Sequence, residues 1–234
     1  AYDEIADDLV PAEWTEEVQQ KTTRNLLAWQ AARGERGASD FQQAVTAGQH
    51  SHPLGLFFGG SGPSWSRRTQ TAIFEKYLAH AKRVSVIDYH TGLGPHGYAE
   101  RVTVFPCEAA EFRRAAAWFG AGVTSTKSGT SVSKHISGDN IAGSAALLPQ
   151  AEFTGIAVEV GTVPMMQVLQ ALRADAWLHA HGDPLSASAH AIKAQVRAAF
   201  YCETDWWKGM VAGQSLLTCR QAIAGLSQPL APDL

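Results

Sequence analysis

The sequence has few cysteines, and their pattern argues against two kinds of structure. Only three occur in 234 residues, at Cys107, Cys202 and Cys219. An odd number of cysteines without C-x-x-C spacing argues against a disulfide-bonded framework and against a zinc site built from cysteines. We therefore expect reduced, partly buried thiols in a cytoplasmic protein.

The sequence also lacks an excess of basic charge and any long apolar run. Its formal net charge is −3 and its isoelectric point is about 6.3, so no positive field would attract a nucleic-acid backbone. No apolar run approaches the roughly 20 residues of a transmembrane helix, and no basic segment followed by an apolar core opens the chain. The sequence thus predicts a soluble protein without an export signal that binds neither nucleic acid nor membrane.

Two common active-site motifs are missing as well. The glycine cluster GLGPHG, residues 92–97, has neither the G-x-G-x-x-G spacing nor the lysine of a phosphate-binding loop, which argues against a nucleotide site. No G-x-S-x-G nucleophile elbow is present, and GGSGPSWS, residues 59–66, imitates one only loosely. A serine esterase is therefore the weakest of the functions that we consider.

The composition is that of a globular protein, and the periodicity is that of an α/β fold. Hydrophobic residues make up 45% of the chain and charged residues 18%, which suits one domain with a sizeable core. Apolar periodicity with helix start and stop signals predicts helices at residues 11–33, 39–47, 63–83, 108–119, 165–179, 185–201 and 205–226. Short apolar runs predict strands at residues 53–62, 84–90, 101–106 and 153–164. Strand, helix and strand at this spacing form βαβ units, so we expect a mainly parallel or mixed sheet with helices on both faces.

Residues 120–143 form a polar stretch rich in glycine, serine and threonine. It is too long for a simple connection between two elements. Segments of this length in compact domains are usually lids, binding loops or disordered regions. We expect one of these three here.

Polar side chains interrupt two apolar strands near their ends. Asp88 and His90 end one strand, and Glu159 lies near the end of another, which is where open α/β sheets place their active groups. His90 is equally compatible with a hydrogen-bonded structural histidine. A carboxylate buried among valines, as in IAVEVG, costs several kcal/mol unless it is paired or protonated. An arginine or a metal with its bound water would stabilise Glu159, and a metal-bound water beside a carboxylate is suited to hydrolysis.

Several motifs resemble one protein superfamily. IDYHTG at residues 87–92, followed by VEVGT at residues 158–162, resembles the zinc carboxypeptidases, and particularly the branch that contains succinylglutamate desuccinylase and aspartoacylase. GLFFGGSGPSWS, DYHTGLGPHGYAE and ALRADAWLHAHGD look like a bacterial subfamily of carboxypeptidase-like proteins. This likeness extends over nearly the whole chain.

The resemblance implies roles for individual residues. His90 would be a zinc ligand, and Glu159 would pass a proton from the zinc-bound water to the leaving group. Asp88 and Thr91 would support the ligand, since a ligating histidine usually has its second N–H held by an acceptor. In the family, a loop between these strands carries a substrate-contacting tyrosine. Residues 120–143 contain no tyrosine, and their polar candidates are Lys127, Lys134 and His135.

The sequence departs from the family pattern at the other metal ligands. The family takes two ligands from an H-x-x-E motif, followed by an Asn-Arg pair that holds the substrate carboxylate. No H-x-x-E occurs here; HGYAE, from His96 to Glu100, has one residue too many, and Arg24-Asn25 has the wrong order. Because the chain begins with Ala1 and the family carries these parts upstream, residues 1–234 resemble the C-terminal portion of one catalytic domain that lacks its N-terminal part. They supply one of three expected protein ligands.

The other histidines carry weaker signals. His50 with His52 and His179 with His181 have alternating spacing but flank predicted turns, so a structural or solvent-exposed role is favoured for them. His96 is six residues beyond His90 in a Gly-Pro segment, where it could contact substrate or metal.

The leading hypothesis is a zinc-dependent hydrolase, a metallocarboxypeptidase or N-acyl amino acid amidohydrolase, with one zinc ion in the complete protein. Its partners would be a small peptide or N-acyl amino acid and the missing N-terminal segment of the same domain. The alternative is a noncatalytic binding or structural domain that retains the fold without a complete metal site. The missing H-x-x-E motif motivates this alternative.

Overall fold

A computed structural model describes residues 1–229, and the chain divides into two compact units. The first unit comprises residues 1–62 and 163–201. The second comprises residues 63–162 and the chain from residue 202 onward. The first unit is helical, and the second contains the sheet.

The described residues form nine α-helices and four strands. The helices are α1 (Ala6–Leu9), α2 (Glu16–Ala31), α3 (Gly37–Thr46), α4 (Trp65–Tyr77), α5 (Ala110–Phe119), α6 (Asn140–Leu147), α7 (Met165–Ala180), α8 (Ala187–Phe200) and α9 (Asp205–Leu226). The strands are β1 (Arg83–His96), β2 (Ala99–Thr103), β3 (Val123–Ser125) and β4 (Glu152–Gly161). Short 3-10 turns lie at Tyr2–Glu4 and Gly34–Arg36. None of the helices within residues 1–229 has the length and apolar character needed to cross a membrane.

Two apolar clusters hold the first unit together. One joins the N-terminal turns to α2, α3 and α7 through residues that include Leu9, Leu26, Phe41 and Leu169. The other packs α7 against α8 around Leu178, which is fully buried. Helix α2 begins where the Thr15 hydroxyl accepts a hydrogen bond from the Val18 N–H, as a capping residue does.

A buried arginine also links the helices of the first unit. Arg173 on α7 is fully buried, and its guanidinium donates to backbone carbonyls, hydroxyls and an amide of Asp8, Leu9, Thr22, Thr23 and Gln170. Burial lowers the pKa of Arg173 to about 10, so it is still charged at neutral pH. These bonds satisfy a charge that would otherwise be costly to bury.

The second unit has a four-stranded mixed sheet in the order β1-β4-β2-β3. Strands β1 and β4 are parallel, β2 and β3 are parallel, and β2 is antiparallel to β4. This confirms the α/β class and the mixed sheet. The pairing of β1 with β4 places the two strands that carry His90 and Glu159 side by side.

Helices cover both faces of this sheet, as the sequence predicts. On one face, residues of β4 such as Ile156 and Val158 pack with Trp118 of α5 and Trp207 of α9. On the other, Val84 and Phe153 pack with apolar residues of α4 and α6. Alternation along the strands therefore assigns even-numbered residues of β1 and odd-numbered residues of β4 to the α6 face.

The prediction of a strand at residues 53–62 is wrong. This segment makes one isolated bridge, between Gln49 and Phe58, and turns back on itself. The Gln49 side-chain amide donates to the carbonyls of His52 and Leu56, and Phe57 has a positive φ of 55°. A backbone closed in this way cannot extend into a strand, so the first predicted βαβ unit does not exist.

The prediction of one long loop at residues 120–143 is wrong in part. Its beginning contains the short strand β3, and its end contains the first turn of α6, which begins at Asn140. The irregular part is residues 126–139. The Ser125 side chain accepts from the Ser128 N–H and donates to the Phe105 carbonyl, so the start of this segment is bonded to the sheet.

Candidate functional site

Strand β1 continues beyond the polar residues at which the sequence predicts its end. It pairs with β4 through Gly92, and after an irregularity it pairs again where His96 lies opposite Gly161. Gly92 and Gly94 have φ values of +140° and +100°, which residues with a side chain rarely adopt. The glycines thus bend the edge of the sheet and turn the Leu93 N–H toward β4.

His90 and Asp88 form a hydrogen-bonded pair on the α6 face of β1. His90 Nε2 lies 3.0 Å from Asp88 Oδ2, and the two side chains are 49% and 24% exposed. The hydrogen bond with His90 lowers the pKa of Asp88, and the same bond raises the pKa of His90. A carboxylate thus fixes the orientation of the imidazole ring.

Asp88 is in turn held by Asn140, which was not among the predicted site residues. The Asn140 side-chain amide donates to Asp88 Oδ2 over 2.9 Å, and its oxygen accepts from Gln70 Nε2 on α4 over 2.6 Å. A chain of hydrogen bonds therefore runs from α4 through the first residue of α6 to His90. Asn140 directly follows Asp139, whose side chain caps α6 by accepting from the Ala142 N–H; a helix start is the only sequence signal that could have indicated it.

Glu159 is nearly buried and lies beside His90. The two residues are register partners in the parallel pair β1–β4, and Glu159 is only 9% exposed. Its Oε1 accepts a hydrogen bond of 3.0 Å from the Leu93 N–H. Burial is the main cause that raises the pKa of Glu159, although the Leu93 bond and His90 lower it. The arginine that the sequence allowed as a partner is replaced by a backbone donor.

A second buried carboxylate extends this row across the sheet. Glu100 of β2 is the register partner of Glu159 in the antiparallel pair, and it is 6% exposed. Its carboxylate accepts from the Thr124 hydroxyl at 2.7 Å and from the Val132 N–H at 3.3 and 3.4 Å. Its charge adds to the rise in the pKa of Glu159. In the sequence, Glu100 is marked only as the last residue of the HGYAE run.

The remaining predicted site residues are Thr91, His96, Lys134 and His135. Thr91 is opposite Val160 in the register of β1 and β4, and as an odd-numbered residue of β1 it lies on the face of the sheet away from α6 and from the row. His96 is exposed; its Nδ1 bonds to the Thr162 carbonyl at 2.7 Å, and its ring stacks on Trp206. Lys134 is half-buried and His135 exposed, both within residues 126–139.

The paired histidines outside this unit have other partners. His52 Nε2 bonds to Asp3 Oδ1 at 2.7 Å, and His50 Nδ1 lies 3.1 Å from the Gly60 carbonyl. His179 Nε2 accepts from Lys193, which also pairs with Asp175. In neither pair do these contacts join the two histidines in a common site.

The described residues do not make a complete metal site. Across residues 1–229 there is no group of three or more His, Cys, Asp or Glu side chains that could hold a metal ion. The Nε2 atom of His90 is hydrogen-bonded to Asp88, so Nδ1 is the ring nitrogen that could bind a metal. A single imidazole nitrogen does not satisfy the coordination of zinc.

Glu159 should make folding less favourable as the pH rises. Its pKa is raised from 4.5 on folding, so the unfolded chain loses its proton at lower pH than the folded chain. The free energy of unfolding therefore falls as the pH rises from about 4.5 through the raised folded pKa. Because Glu159→Gln removes this titration, we expect the variant to be the more stable protein at pH 7.

Urea unfolding of both proteins at pH 4 and pH 7 tests this expectation. The difference in the free energy of unfolding between variant and wild type should be larger at pH 7. Gln keeps an oxygen that can accept from the Leu93 N–H, so loss of that bond should not hide the effect. An equal difference at both pH values would contradict a raised pKa.

One family model matches this chain, over residues 1–214, and its description is "Protein of unknown function (DUF2817)". No curated protein and no solved structure matches it. The description of the matching family states no activity.

Proposed function

Because the match spans most of its length, the chain belongs to the DUF2817 family, and we propose that it is a hydrolase that cleaves amide bonds in small peptides or N-acyl amino acids. The observation that carries the proposal is the placement of Glu159. It is a nearly buried carboxyl group with a raised pKa beside His90 on a neighbouring parallel strand. Carboxyl groups with raised pKa values are suited to general acid–base chemistry near neutral pH.

Glu159 would take a proton from the attacking water and pass it to the leaving nitrogen. As the water oxygen forms its bond to the carbonyl carbon, its proton moves to Glu159; when the C–N bond breaks, that proton moves to the amine. The Leu93 N–H bond holds one carboxylate oxygen and leaves the other to accept the proton. This geometry suits a base that must also act as an acid.

His90 would bind and orient the reacting group from the neighbouring strand. Its ring is half exposed and fixed by Asp88, which in turn is fixed by Asn140. Such a fixed imidazole can serve as a metal ligand or as a donor to a developing oxyanion.

We propose zinc as the cofactor of the complete protein, with His90 as one ligand. When bound, a zinc ion would make a water molecule more acidic and polarise the carbonyl. Since residues 1–229 contain no group of three potential ligands, the other ligands would have to come from elsewhere. We also propose that the mixed sheet is of the zinc carboxypeptidase type.

A noncatalytic binding domain is the second candidate. The shortage of potential ligands in the described chain favours it, as does the engagement of His90 Nε2 by Asp88. In this case the polar row would stabilise the fold or bind a ligand without reaction.

Metal binding and hydrolysis by the complete natural protein distinguish the two candidates. Isothermal titration with zinc and release of amines from a panel of peptides and N-acyl amino acids should both be positive for the wild type. His90→Ala should lose zinc affinity and activity, whereas His179→Ala, which changes an exposed histidine on α7, should retain both. A complete protein that binds no zinc and cleaves nothing in the panel would favour the binding domain.

The proposed location is the cytoplasm. Cys107, Cys202 and Cys219 are free cysteines. Reducing compartments keep such thiols unpaired.

A further inference from the structure

The irregular segment between β3 and α6 is attached on both sides of Glu159. Three neighbouring strands carry the row in the order His90, Glu159 and Glu100. The segment is bonded to the Glu100 end of this row through Val132 and to the other end through Asn140. Residues 133–139 therefore connect the β2 side of Glu159 to the β1 side.

The attachment on the β1 side is a helix start. Asn140 donates to Asp88, and the preceding residue caps α6. The Gln70 side-chain amide on α4 donates to the Asn140 side-chain oxygen. This end is fixed by a helix that packs on the sheet.

On the β2 side, Glu100 contributes a bond at Val132 in addition to the bonds that hold the start of the segment to β3. Its buried carboxylate reaches the backbone of the segment at the Val132 N–H and is held by the Thr124 hydroxyl. The Val132 side chain extends toward β1, because a Cβ added to Gly94 would lie 3.9 Å from its Cγ2. Gly94 follows Leu93, whose N–H holds Glu159.

The segment is longer than the gap it crosses. Two steps between adjacent strands span about 10 Å, whereas the eight residue-to-residue steps from Val132 to Asn140 can extend to roughly 27 Å. Chain length alone therefore does not hold residues 133–139 against the sheet. The bond at the Val132 N–H fixes one end of this stretch, at a cost in conformational entropy.

We propose that Glu100 is a positioning residue that holds residues 131–139 over Glu159. The bond from the Val132 N–H to Glu100 keeps residues 131–139, which include Lys134 and His135, close to Glu159. These residues thereby keep water away from one side of the Glu159 carboxylate. The low exposure of Glu159, beside a half-exposed His90, fits a cover on the Glu100 side. The consequence for catalysis rests on the proposed hydrolase function, whereas the attachment itself does not.

Hydrogen–deuterium exchange of the complete protein tests the attachment. In Glu100→Ala we expect amides of residues 131–136 to exchange about tenfold faster or more, since a bond to a charged group is lost. Amides of β4 should keep their wild-type rates. Glu203→Ala, which removes an exposed carboxylate of the same unit, should leave the segment unchanged.

A second variant keeps the test decisive if Glu100→Ala does not fold. Val132→Pro removes the N–H donor at a residue that is 42% exposed and should also accelerate exchange of the segment. The double variant should exchange no faster than the faster single variant, because both remove one bond. Glu100→Gln, which keeps an acceptor oxygen, should restore most of the protection. Wild-type exchange rates in folded Val132→Pro would overturn the proposal.

The exchange experiment separates this proposal from the proposed function. If the complete protein cleaves nothing but Glu100→Ala and Val132→Pro loosen residues 131–136, the attachment stands and the hydrolase function fails. If the protein is an active hydrolase and the segment is unaffected in both variants, the attachment fails. In an active hydrolase, loosening the segment should lower kcat of Val132→Pro about tenfold or more, although Val132 carries no reacting group.

Discussion

Replacing Glu159 by Gln should reduce amide hydrolysis about 10²–10⁴-fold, the usual contribution of a general base. Gln has nearly the same shape and can still accept from the Leu93 N–H, but it cannot take a proton from water. The loss should appear in kcat, because proton transfer belongs to the transition state. Steady-state kinetics on a substrate identified from the panel of peptides and N-acyl amino acids measures it.

A matched variant and a pH profile test whether the loss of activity is specific to Glu159. Glu203→Gln changes an exposed carboxylate that pairs with Lys208 and should keep wild-type kinetics. The wild-type rate should fall at low pH, through a pKa above the ordinary value for glutamate, because Glu159 must be ionised to accept a proton. Retained activity in Glu159→Gln would remove this residue from the mechanism.

Much of the fold could be predicted because its helices have local signals. Helix α9 has the predicted bounds, 205–226, and begins where the Thr204 hydroxyl accepts from the Trp207 N–H. An apolar run without helix start and stop signals does not by itself distinguish a strand from a series of turns. Residues 53–62 have the composition of a strand, yet the side-chain amide of Gln49, outside that run, closes them into turns. Strand β3 has three residues, too few to show a period.

Part of the candidate site could be predicted from local sequence. Asp88, His90 and Glu159 were visible because each is a polar residue in an apolar strand. Glu100 and Asn140 were not, because their places depend on distant parts of the chain. Glu100 faces Glu159 through antiparallel pairing with a strand that begins at residue 152, and Asn140 meets Asp88 through the packing of α6.

The last glycine of the VEVG motif should tolerate no side chain, not even that of alanine. A Cβ at Gly161 would lie 2.1 Å from the Pro95 carbonyl oxygen and 2.4 Å from that of Gly94. Both contacts are with backbone, so relief requires the chain beyond Leu93 to shift. We expect Gly161→Ala to lower the free energy of unfolding by about 3 kcal/mol or more, measured by urea denaturation.

The same shift should disturb Glu159, because the Leu93 N–H that holds it directly precedes Gly94. Gly213→Ala is the matched control: it lies within α9 and a Cβ there meets nothing within 4 Å. That variant should gain about 0.5–1 kcal/mol, since alanine favours a helix over glycine. The contrast separates a steric requirement at Gly161 from a general effect of replacing glycine. A Gly161→Ala protein within about 1 kcal/mol of the wild type would show that the backbone near Pro95 can move away, and that Glu159 is not held by a rigid turn.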